Sequence, residues 1–81
     1  MRQPDGMDRR VLVSGLTEGL RHDHSVIRAG AAKALGQLGP SRAAVPALIA
    51  ATRDTARFAR KAVTKALQRI DPEAAEKTEN R

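Results

Sequence analysis

Cysteine, tryptophan and tyrosine are absent, and Phe58 is the only aromatic residue. Without cysteine there is no disulfide framework and no thiolate metal site, which excludes the usual staples of a small fold. Without large rings, the core of this 81-residue chain has to be built from aliphatic side chains and alanine. A chain of this length buries only about 60% of the surface that its unfolded form exposes, so the core is thin and neighbours or partners are expected to help. Long apolar runs are missing too. No stretch approaches the ~20 consecutive apolar residues that span a bilayer, and residues 1–10 are too polar for a signal peptide. The expectation is a cytoplasmic protein without membrane contact. Positive charge, by contrast, is plentiful: 15 Lys and Arg against 9 Asp and Glu give a net charge of +6, a field that draws anions whatever the fold.

Sliding the chain against itself by 32 residues reveals an internal duplication. Arg10 then falls on Arg42, Val13 on Val45, Leu16 on Leu48, Arg21 on Arg53, Arg28 on Arg60, Lys33 on Lys65, Ala34 on Ala66, Leu35 on Leu67 and Pro40 on Pro72. Most of the shared positions that are not charged are apolar, as a repeated packing geometry requires.

Within each copy the apolar residues recur three and four apart, the period of a helix. The spacing predicts four helices. The first covers about 8–20, with Asp8 as N-cap and Leu12, Val13, Leu16 and Leu20 on one stripe. The second covers 25–38, with Ile27, Ala31, Ala34, Leu35 and Leu38 inward and Gly39-Pro40 as its stop. The third covers about 43–52, with Val45, Leu48 and Ile49 inward and Pro46 confined to the first turn. The fourth covers about 55–70, with Ala59, Ala62, Val63, Ala66, Leu67 and Ile70 inward and Asp71-Pro72 as its end. Links this short make sequential helices antiparallel neighbours. The fold expected is therefore all-α: an α-solenoid segment of two antiparallel helical hairpins, at 8–39 and 40–72. Residues 1–7 are expected to be a flexible N-terminus, and the polar residues 73–81 a frayed helix or a disordered tail.

Val45-Pro46-Ala47-Leu48-Ile49 followed by Asp54, Arg60, Ala66-Leu67 and Ile70 resembles the HEAT-like repeat of the phycobilin-lyase type. The first copy carries the same likeness in Arg28, Ala31-Ala32, Ala34-Leu35-Gly36 and Leu38-Gly39. The resemblance implies a right-handed solenoid whose second helices line one surface. It also implies a ladder of hydrogen bonds between hairpins, formed by the aspartate that ends a first helix and the arginine six residues later. Asp54 and Arg60 match that pattern, whereas the first copy has His22 at the aspartate position with Asp23 beside it, which leaves the partner of Arg28 open.

Catalytic chemistry finds little to work with. His22-Asp23-His24 is the only arrangement that invites a metal or acid–base reading, but three consecutive turn residues do not converge on one ion and no other His or Cys exists to complete a shell. No His-Glu pair of the kind used by metal-dependent HEAT-like enzymes occurs, and Ser14, Ser25 and Ser41 lack the surroundings of a nucleophile. Gly15, Gly30 and Gly36 form no phosphate loop and are expected to admit a neighbouring helix. Neither an enzyme activity nor a cofactor is expected.

One feature outlasts this sorting. Arg57, Lys61, Lys65 and Arg69 stand four apart on the fourth helix, which has no acidic residue, so four like charges share one face. A solvated outer face is the ordinary explanation, and an anion-binding strip is the functional one. The reading reached is a non-catalytic protein-interaction or scaffold module, with self-association through open repeat ends as one way to cover apolar flanks. The alternative is a basic nucleic-acid-binding module that uses the same strip, and a bilin-lyase-related subunit is a further implication of the resemblance.

Overall fold

The computed structural model describes residues 9–39 and 41–79, which are helical with short links and, among the described residues, contain no strand. Five helices follow in order: α1 (Arg9–Gly19), α2 (Ser25–Leu38), α3 (Ala44–Ala51), α4 (Arg57–Ile70) and α5 (Pro72–Glu79). Asp8, Pro40 and residues 1–7, to which the sequence assigns a cap, a stop and a loose terminus, lie outside the described residues.

The helices form two layers. α1, α3 and α5 stand side by side in one, α2 and α4 in the other, and the α2 to α4 contact is the broadest in the molecule. α1 with α2 and α3 with α4 are antiparallel hairpins, so the all-helical solenoid segment expected from the 32-residue register is what the chain builds.

The duplication extends to the backbone of the inter-helix turns. His24 and Ala56, the residues ahead of α2 and α4, have φ and ψ of −87° and 125° and of −88° and 124°. Arg21 N–H donates to Glu18 O at 2.9 Å, as Arg53 N–H does to Ala50 O at 3.3 Å; His22 N–H donates to Gly19 O at 3.1 Å, as Asp54 N–H does to Ala51 O at 3.0 Å. A turn repeated this closely sets the second helix of each hairpin at the same angle to its first.

Alanine makes the thin core workable. Leu35, Leu48, Val63 and Leu67 are its largest fully buried side chains, and Ala31, Ala32, Ala44, Ala59, Ala66 and Ala75 fill the space between helices. Small residues let axes approach: a Cβ placed on Gly36 stands 3.1 Å from Ala66 Cα, and one on Gly19 stands 2.9 Å from Ala31 Cβ. The expectation that Gly15 and Gly30 also admit a neighbour fails, since a Cβ on either has nothing within 4 Å. Gly39 closes α2 with a φ of 96°, a conformation that L side chains avoid.

Of the segment expected to be a frayed helix or a disordered tail, residues 73–79 are helical, in α5, and residues 80–81 lie outside the described residues. Asp71 ends α4, donating its N–H to Leu67 O at 2.7 Å, and opens the next helix, accepting Ala74 N–H on Oδ1 at 3.2 Å. Asp71 is thus the N-cap, Pro72 the first helical residue and Glu73 an acid in the first turn, three features that favour a helix start. Ala75 is only 2% exposed, so α5 docks its one small apolar face on α3 and α4 and leaves Glu73, Glu76 and Lys77 exposed. It occupies the place that the first helix of a third hairpin takes in a solenoid.

Candidate functional site

The two ends of the stack differ. Leu12, Ile27 and Ile49, all expected inward, are exposed, and the first two for the same reason. Their counterparts 32 residues on, Ala44 and Ala59, have no exposed surface at all, whereas Leu12 is 37% and Ile27 44% exposed. In the second hairpin these positions face the first hairpin. In the first hairpin no described helix packs on that side; Val26 is exposed as well, but so is its counterpart Phe58, so that position faces outward in both hairpins. Ile49 belongs elsewhere, beside Thr52, Ala74 and Thr78 in the furrow between α3 and α5.

At the opposite end the flank is polar. Ala32 and Gly36, both buried in α2, correspond to Thr64 and Gln68 in α4, which line an open cleft with Thr52, Arg57, Arg60, Lys61, Ala62 and Lys65. The expectation of an apolar face at both ends is corrected here: α5 covers the α3 side, and the α4 side carries hydroxyl, amide and cationic groups.

The strip on α4 is exposed at all four positions, Arg57, Lys61, Lys65 and Arg69. It divides between two grooves that share Lys65. Arg57 and Lys61 line the outer flank of α4, while Lys65 and Arg69 join Lys33, Gln37 and Gly36 in a furrow between α2 and α4. Lys33, the repeat counterpart of Lys65, belongs to this basic surface and was not singled out from the sequence, although the 32-residue register pointed to it. α2 and α4 together hold Arg28, Lys33, Arg57, Arg60, Lys61, Lys65 and Arg69 and no carboxylate.

The ladder residues meet across the hairpins. Arg28 donates from Nε to Asp54 Oδ2 at 2.6 Å and from Nη2 to Asp54 Oδ1 at 3.0 Å, so the partner left open for Arg28 is the aspartate of the next hairpin. Its Nη1 is tied to His22 O at 2.7 Å and Asp23 O at 2.9 Å. Arg60 repeats that tether, Nη1 donating to Asp54 O at 2.8 Å and Thr55 O at 3.3 Å. The hydrogen bond from Arg28 holds the Asp54 carboxyl below the usual carboxylate range; burial opposes this, and the Ala56 N–H and the charges of Arg28 and Arg60 reinforce it. The same hydrogen bond to Asp54 raises Arg28 above its ordinary value.

His22 takes over one duty of the aspartate it replaces. Its Nδ1 accepts His24 N–H at 3.1 Å, as Asp54 Oδ1 accepts Ala56 N–H at 2.9 Å. His22 and His24 stack with centroids 5.4 Å apart, both exposed. Among the described residues no three His, Cys, Asp or Glu side chains gather as a metal site, and no helix is long and apolar enough to cross a membrane.

Neither a search of curated proteins nor a search of solved structures returns a match to this chain. A family model described as HEAT repeats matches residues 13–77, which take in most of α1 and α5 and all of the helices between, and the chain belongs to the HEAT repeat family.

Proposed function

We propose that this chain is a non-catalytic, cytoplasmic protein-interaction module whose first hairpin docks end-on against another protein. The observation that carries the reading is the pairing of Leu12 and Ile27 with Ala44 and Ala59: identical places in the fold, exposed in one hairpin and sealed in the other. Large apolar side chains left exposed at places that the next hairpin seals mark a contact to be covered. A repeat that cannot bury both flanks within its own chain gains stability by stacking on something else. The partner that suits Leu12 and Ile27 is an apolar helical face, and a second copy of the chain is one such face.

The test places a photo-activatable residue at position 12 or 27 and repeats the cross-linking with Leu12→Asp and Ile27→Asp variants. Sedimentation at micromolar concentration separates a second copy from a different protein. Cross-links lost on introducing the aspartates support the reading. A chain that sediments as a stable, cooperative monomer and cross-links to nothing at either position refutes it.

A second reading, binding to nucleic acid, is favoured by one observation: the furrow between α2 and α4 gathers Lys33, Lys65 and Arg69 without a carboxylate. Phosphate contacts of this sort need no aromatic residue. Its signature is salt-sensitive retention of duplex DNA that falls with Lys33→Glu and Lys65→Glu combined. No retention at low salt removes it.

A further inference from the structure

The two arginines at the heads of α2 and α4 are held alike but not filled alike. In each, Nη1 is anchored to the two carbonyls of the preceding turn: His22 O and Asp23 O for Arg28, Asp54 O and Thr55 O for Arg60. With that corner fixed, the Nε and Nη2 edge of Arg28 is left to grip Asp54 with two parallel bonds. The same edge of Arg60 has no protein partner among the described residues, and Arg60 is only half-buried.

We propose that the Nε and Nη2 edge of Arg60 binds the carboxylate of an aspartate or glutamate presented by a loop of another protein, in the way that Arg28 binds Asp54. A guanidinium edge matches a carboxylate through two parallel N–H bonds, a geometry that an ammonium does not offer. Here the side chain is already oriented, so little further ordering opposes binding. Arg57 and Lys61 line the same cleft, and none of the residues lining it is acidic, so the local field favours an incoming anion. Thr64 and Gln68, standing where α2 has Ala32 and Gly36, make the flank suited to a polar loop and unsuited to an apolar helix.

A second copy of this chain does not supply the group from its own ladder position. Its residue at the ladder position is His22, whose Nδ1 already accepts the His24 N–H, and α5 stands where the first helix of a stacked copy belongs. This end lies opposite Leu12 and Ile27, and the inference is independent of what covers them.

The experiment follows arginine Nε–H resonances of the full chain by NMR during titration at low salt. The probes are a short oligo-aspartate peptide, an oligo-asparagine peptide of equal length and a short DNA duplex. Oligo-aspartate is expected to shift Arg60 Nε–H more than Arg57 Nε–H while leaving Arg28 in place, and oligo-asparagine is expected to shift neither. Arg60→Lys, which keeps the charge but loses the fork, is expected to weaken oligo-aspartate binding by roughly fivefold or more, and Arg57→Lys by less than about twofold. Thermal unfolding of Arg60→Lys establishes that the variant folds; if it does not, the wild-type titration decides alone. The proposal is overturned if saturating oligo-aspartate leaves Arg60 unmoved, if oligo-asparagine moves it equally, or if only the duplex moves it.

Discussion

Arg28 on α2 and Asp54 ahead of α4 meet fork to carboxylate, at 2.6 and 3.0 Å, and each is also bonded within its own turn. Arg28 holds the two carbonyls of the α1–α2 turn, while Asp54 holds the Ala56 N–H at the start of α4. One side-chain pair thus joins two turns and fixes how far α4 slides along α2. Two turns further along α2, Gly36 lies against Ala66 and sets the distance between the same helices.

The pair makes stability depend on acid in a defined direction. The Asp54 carboxyl is held below its ordinary value, so its contribution is complete above the unfolded pKa of about 3.9 and is lost as pH falls through the lower folded value. Arg28 is raised from a value already far above neutrality and adds no slope in acid. Asp54→Asn keeps an acceptor for the Ala56 N–H but removes the charge. Urea midpoints of the native chain and this variant should differ by a constant amount above about pH 5 and converge below about pH 4. A gap that ignores pH contradicts the account.

What could be read in advance divides along physical lines. The register of Arg28 on Arg60 and Leu35 on Leu67 was legible because a duplicated hairpin repeats its contacts, and the bounds of α2 matched because Gly39 is a strong stop. Exposure of Leu12 and Ile27 was not legible, because periodicity says which residues share a face and not whether anything stands opposite. α5 was expected as no more than a frayed helix or a disordered tail because Asp71-Pro72 reads equally well as the end of one helix and the start of the next, and its apolar content is little more than Ala74 and Ala75. The partner of Arg28 was left open because His22 stands at the aspartate position of its own copy, although a ladder between hairpins already offered the aspartate of the next copy, Asp54.

The glycines make a sharper test of packing than any large residue. Alanine is favoured over glycine in a helix interior by about 1 kcal/mol, so Gly15→Ala and Gly30→Ala, with open space around them, should each stabilise the chain by up to roughly that amount. Gly36→Ala has the same propensity gain but drives a methyl toward backbone, 3.1 Å from Ala66 Cα, so α2 and α4 must separate. Overpacking costs about 1 to 3 kcal/mol, which outweighs the gain. Thermal unfolding of the three variants should therefore move up, up and down. A rise for Gly36→Ala indicates that the α2 to α4 contact yields more easily than this spacing implies.

Whether α5 caps the stack or merely follows it is decided at Ala75. A glutamate there has nearly the helix propensity of alanine among the common helix formers, so Ala75→Glu changes little but the burial of a charge against α3 and α4. Forcing an unpaired carboxylate into that contact should cost roughly 2 kcal/mol or detach the helix. Asp71→Ala, which deletes the acceptor for the Ala74 N–H, should cost about 1 kcal/mol, and Glu76→Ala on the exposed side should stay within about 0.5 kcal/mol of the native chain. Amide exchange separates the two roles. If α5 seals the end of the solenoid, Ala75→Glu speeds exchange in α4 around Ala66 and Leu67 as well as in α5, because the layer beneath loses its cover. Loss of protection confined to residues 73–79 would show that the two hairpins stand without it.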